Sequence, residues 1–156
     1  MGVNLLAAKE LQLELSSKGR RLYFHGESMR PFLVEGDEVV VEPIAFDDIH
    51  VGDVVTYRFS DKFPTRRVVR KHQRGLDLWC ENWPARRYVC AAEDLLGVAV
   101  ARGRDGEWIG DRSPEWRAAR RKALRAWRRI AAREYVVTFP GRVVRKLAKV
   151  ARRVPA

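Results

Sequence analysis

The chain has 156 residues, 31 Lys+Arg against 20 Asp+Glu (net +11) and 46% apolar residues. That length suits one domain with its own core and an appended segment, and the aromatic share of 10% argues against wholesale disorder. No stretch approaches 18 consecutive apolar residues, the opening MGVNLLAAKELQLELSS lacks the marks of a secretory signal, and Cys80 and Cys90 are too few for a disulfide framework or a four-ligand zinc site. These exclusions predict a cytoplasmic protein with reduced thiols, no cofactor and no metal.

In chain order, Leu5, Ala8, Leu11 and Leu15 fall on one helical face, so residues 1–19 predict a short N-terminal helix ended by Ser16-Ser17-Lys18-Gly19. From Arg20 the period changes to two, with Leu22 and Phe24 alternating against Arg21, Tyr23 and His25. Gly26–Gly36 reads as a loop, and Glu38–Glu42, Asp53–Phe59, Arg66–Lys71, Leu76–Cys80 and Leu95–Ala101 read as short strands separated by turn signals. Residues 20–111 therefore predict a mainly β domain, a small barrel or coiled, partly closed sheet. Ser113-Pro114-Glu115 marks a helix start, with Ser113 as N-cap and Pro114 at the first helical position. Trp116, Ala119, Ala123, Trp127 and Ile130 share a face of that helix. Pro140-Gly141 predicts a break before a second basic helix carrying Val143, Leu147, Val150 and Val154.

Charge is concentrated at that end. Residues 112–156 hold 15 Lys/Arg and only Glu115 and Glu134, whereas residues 1–111 carry a net charge of −2. Three roles fit the basic helices: peripheral docking on an anionic membrane at its inner face, contact with nucleic acid phosphates as the least favoured, or structural cover for the β domain.

Chemistry concentrates in residues 26–69. A Ser that follows a Gly and precedes a Pro-braced turn, as in Gly26-Glu27-Ser28-Met29-Arg30-Pro31, can present a hydroxyl as nucleophile and its own N–H to an incoming carbonyl. Gly36-Asp37 and Gly52-Asp53 are tight turns into apolar strands, where each Asp can hydrogen-bond backbone.

This ordered set resembles the clan of serine peptidases that contains signal peptidase I and the LexA-type repressors. Its members share a G-x-S-M-x-P box, a G-D turn into a strand, a second G-D-x-V strand, and a strand bearing the general base before Arg-Val. The match covers about Leu22–Arg70, with Leu95-Leu96-Gly97-Val98 similar to the closing strand. The resemblance implies a signal-peptidase-like endopeptidase that cleaves an extended peptide after a small residue, through an acyl-enzyme on Ser28. It further implies that Gly26, Glu27, Met29 and Pro31 form the substrate-binding turn, with Met29 packed under the site, and that the peptide lies along a sheet edge as an added strand.

The departures are specific. Aligning Arg67-Val68-Val69 on the base-Arg-Val strand puts Arg66 where the Lys or His belongs, and a guanidinium is a poor proton acceptor. Cys80-Glu81-Asn82 stands in place of Gly-Asp-Asn, and Gly26 stands where signal peptidases often carry an oxyanion-binding Ser. His25 and, less favourably, His72 are alternative bases. Otherwise the domain is a catalytically impaired peptide-binding module. An autocleaving repressor would need a helix-turn-helix, for which the roughly 20 residues before the Ser box are too few. His50 reads as a solvated turn residue, Cys80 and Cys90 as buried thiols, and Trp79 and Trp83 as core or rim aromatics.

Overall fold

The computed structural model describes residues 19–151, with side chains through residue 133. The helix expected before Gly19 lies outside the described residues. Eight strands follow: β1 (Arg20–Tyr23), β2 (Glu38–Glu42), β3 (Val54–Tyr57), β4 (Thr65–His72), β5 (Gly75–Trp79), β6 (Arg87–Ala91), β7 (Leu95–Arg104) and β8 (Glu107–Gly110). A helix, α1 (Pro114–Ala151), completes the chain, and two 3-10 turns (Phe46–Asp48 and Ala92–Asp94) connect strands.

All pairings are antiparallel, in the order β1-β2-β7-β3-β4-β5-β6, with β8 also on β7. The mainly β expectation holds: the described strands form one antiparallel sheet that does not close, with β1 and β6 at the two ends of the strand order. The long strand β7 explains this. One of its sides pairs with β2 through Val98–Gly103, and the other is shared between β3 near Leu95–Val98 and β8 near Ala101–Arg104. One strand thus serves two limbs. Register shifts at Val40/Val41, Thr56/Tyr57 and Val68/Arg70 bend the limbs, as bulges do. The crossing of β7 over β2 needs Gly97, because a Cβ there would collide with the Glu42 carbonyl.

The alternation of β3 divides the core. Val54 joins Phe24, Met29, Phe32, Leu33, Val39, Val41, Leu96, Ala99 and Trp116 in one cluster. Val55 and Tyr57, on the opposite face, join Ile49, Val68, Leu76, Leu78 and Cys90 in the other. Burial on both faces is why β3 reads as a continuous apolar run.

Two compact units divide between Leu124 and Arg125. Within the first, Ser113 caps α1 as expected: its Oγ accepts the Trp116 N–H at 3.1 Å. Trp116 is buried in the first cluster, edge-on to Phe32 at 4.8 Å, with Ala119 packed beside it. The opening turns of α1 are therefore structural cover for the sheet. The predicted break at Pro140-Gly141 does not occur, and α1 is one helix through Ala151 instead of two. A proline removes a single donor, here the one facing the Val136 carbonyl, and the helical ladder resumes beyond it. In the second unit, Arg125, Arg128, Arg129 and Arg133 are all exposed, and their spacing puts them on one helical arc.

Candidate functional site

The Gly26–Leu33 loop is held from its ends. Gly26 sits at φ +94°, a left-handed conformation natural to glycine, and its N–H donates to the Glu35 carboxylate. The same carboxylate meets His25 Nδ1 at 2.9 Å, and these contacts, the Gly26 N–H foremost, hold Glu35 below the usual carboxylate range. The Leu33 N–H returns to the Met29 carbonyl at 2.9 Å, and Arg30-Pro31 is a cis peptide. Both Gly-Asp turns use their carboxylates alike: Asp37 accepts the Val34 N–H at 2.9 Å, and Asp53 accepts the His50 N–H at 2.7 Å. Burial alone would raise the Asp37 carboxyl, but two 2.7 Å hydrogen bonds from Arg104 and the one from Val34 bring it below its ordinary value.

Ser28 and Arg66 meet. Arg66 Nη1 donates to Ser28 Oγ at 2.7 Å and to its neighbour's carbonyl, Thr65 O, at 2.7 Å. Its guanidinium lies 5.2 Å from the centre of the Tyr88 ring. The hydroxyl is not open, as a freely presented nucleophile would be: Ser28 is only 5% exposed. Met29 is fully buried in the core beneath it, whereas Gly26, Glu27 and Pro31 line the exposed side of the turn.

A second arginine organises the site from below. Arg66 and Arg67 are neighbours on β4 and so face opposite sides of the sheet. Arg67 is 0% exposed; its Nε donates to Glu81 at 2.6 Å, its Nη1 to the Gly52 carbonyl at 2.7 Å, and its guanidinium lies 4.7 Å from the Phe32 ring centre. Burial raises the Glu81 carboxyl and outweighs the lowering by Arg67. Next to Glu81, the Asn82 N–H donates to the Ser28 carbonyl at 3.2 Å. The ion pair thus anchors both the strand carrying Arg66 and the turn that touches Ser28. Glu81 replaces the expected Asp at the cost of one more methylene and keeps the charge.

The alternative bases are elsewhere. His25 is exposed and turned to Glu35; His72, at the far end of β4, meets Asp77 at 2.9 Å. His50 is exposed beside Asp53. Among the described residues, Ser28 Oγ has no side-chain partner other than Arg66. Trp79, Cys80 and Cys90 are buried, and Trp83 is exposed beside Arg86 on the Asn82 turn. No three His, Cys, Asp or Glu side chains gather as metal ligands among the described residues. A cleft of about 290 Å³ lies between residues 34–38 and the β7–β8 hairpin, lined by Asp37, Arg104 and Trp108, and includes neither Ser28 nor Arg66.

Motif spacing does not point to Tyr88, Asn82 or the Arg67–Glu81 pair as site residues. Glu81 was visible only as a departure from Gly-Asp-Asn, and Tyr88 lies on a strand whose alternation is masked by Arg86-Arg87. Compared with known protein families and with curated proteins, the chain matches none.

Proposed function

We propose that this protein is a signal-peptidase-like binding module that holds an extended polypeptide beside the Ser28 turn without hydrolysing it. One observation carries the reading: the side chain opposite the Ser28 hydroxyl is a guanidinium that donates a 2.7 Å hydrogen bond to it. A general base must accept the hydroxyl proton, and Arg66 has no lone pair to offer. The bond also occupies an Oγ lone pair that would attack a carbonyl. Among the described strands β6 is an edge, with Tyr88 over Arg66 and Val89 72% exposed, and such an edge can accept an added strand.

A fluorophosphonate serine probe tests this. The wild-type chain shows no labelling above Ser28→Ala, and Arg66→Lys or Arg66→His gains Ser28-dependent labelling. Stoichiometric labelling of the wild type at Ser28 would overturn the reading in favour of a second one, a serine endopeptidase acting through an acyl-enzyme on Ser28. That second reading is favoured by the direct contact between residues 28 and 66, since a guanidinium stabilises an alkoxide once the proton has gone elsewhere. The exposed arginines of α1 support peripheral attachment of the module to an anionic membrane.

A further inference from the structure

Arg66 is a partly buried cation without a counter-ion: it makes no ion pair with any carboxylate among the described residues. Its donors can be followed one by one. Nη1 is engaged by Ser28 Oγ and Thr65 O. Nε is buried with no acceptor. Nη2 has no acceptor among the described residues. Below the guanidinium lies the Tyr88 ring, which offers a π face and no negative charge. The contrast with the neighbouring arginine is direct, because Arg67 is matched by Glu81 at 2.6 Å. Burying charge without a partner is costly, and a protein that keeps such a cation at a surface-linked turn leaves its compensation to something that binds.

Ser28 adds a second donor. Because Oγ accepts from Nη1, the hydroxyl hydrogen is directed away from Arg66. Nη2–H and Ser28 O–H are then the two donors left at the site, one charged and one neutral. A planar carboxylate meets such a pair with its two oxygens, as arginine–carboxylate recognition commonly does. On the proposed reading, an extended peptide already runs to this turn. We infer that the Ser28–Arg66 pair is a receptor for the free C-terminal carboxylate of a bound peptide. The inference rests on the binding-module reading and specifies its ligand as a peptide with a free acid end, in place of an internal stretch of chain. The step is binding alone, and no bond is made or broken.

The test uses the full chain and decapeptide mixtures prepared in two forms, C-terminal acid and C-terminal amide, followed by fluorescence anisotropy. The acid form binds at least about tenfold tighter than the amide, the size of one charge-assisted hydrogen-bond pair. Arg66→Gln abolishes the difference, and Ser28→Ala reduces it. The acid–amide comparison in the wild type needs no variant, so misfolding of Arg66→Gln does not weaken it. Equal binding of acid and amide overturns the carboxylate assignment and leaves the binding module standing. Should neither peptide form bind, the module reading fails, and titration of the chain with acetate, inorganic phosphate or chloride, read at the Arg66 Nε–H by NMR, decides the receptor. A shift with acetate supports it; no shift, or a larger one with phosphate, overturns it.

Discussion

Removing the Glu81 carboxylate should be the most damaging single change to a charged group in this domain. Arg67 is fully buried, its Nε is bonded to Glu81 at 2.6 Å, and its Nη2 is already buried without a partner. Glu81→Ala leaves only the Gly52 carbonyl and the Phe32 ring to receive the charge. Breaking a buried pair from one side costs about 3–5 kcal/mol, which lowers the melting temperature of a domain this size by about 10–20 °C. Arg67→Met in the Glu81→Ala background removes the stranded cation, so the double variant recovers part of that loss and the two changes are non-additive by about 1–3 kcal/mol. Urea unfolding followed by tryptophan fluorescence measures all three, with Trp79 and Trp116 as buried reporters. Because Asn82 bonds the Ser28 carbonyl, the single variant also loosens the Ser28 turn, read as faster amide exchange there. A Glu81→Ala cost below about 1 kcal/mol, or strict additivity with Arg67→Met, would refute the reasoning, since neither fits a carboxylate that neutralises a buried cation.

Acid sensitivity should trace to Asp37. Its carboxyl is held below the ordinary 3.8, so its stabilisation is complete above that value and is lost as pH falls through the lower folded value. Asp37→Asn is less stable at neutral pH by about 1–2 kcal/mol and shows a flatter stability profile below about pH 4; parallel acid limbs would contradict the assignment. The thiols should be silent in the native state: both cysteines are buried, and burial, with Asp94 and Glu93 adding to it, pushes Cys90 up to about 12. An aromatic disulfide reagent at pH 8 therefore releases colour only after denaturant is added, and prompt release without it would show an open site. For α1, the full chain floats with vesicles containing anionic lipid and not with neutral ones, at about 1 kcal/mol per arginine near the surface. Arg125→Glu with Arg129→Glu lowers the recovery, as does high salt; flotation indifferent to lipid charge rules out electrostatic docking.

Local pattern was enough for much of this molecule. The short apolar runs EVVVE and DVVTYRF, each entered through a Gly-Asp turn, marked β2 and β3, because β-branched runs bounded by turn residues are a local signal. Ser113-Pro114 marked the start of α1, because the cap is a contact three residues long. The β7–β8 hairpin is equally local: Asp105-Gly106, with both residues at positive φ, is the turn that pairs Arg104 with Glu107. Strand β6 is less legible. Its Val89 is exposed while Cys90 on the other face is buried, so apolar residues stand on both faces and no alternation shows, since an edge strand leaves part of its surface uncovered.

Sequence by itself determined that a serine sits in a Pro-braced turn, that the residue at the base position is an arginine, and that positive charge gathers after Asp111. Those are properties of neighbours along the chain. Only the tertiary structure decided that Arg66 touches Ser28 across 38 positions, that Arg67 on the opposite face is neutralised by Glu81 while Arg66 is not, and that Tyr88 from an unforeseen strand lies against the guanidinium. Two adjacent arginines are chemically identical in sequence. The sheet divides their fates, because successive side chains on a strand enter opposite environments, and counter-charge is a property of the environment.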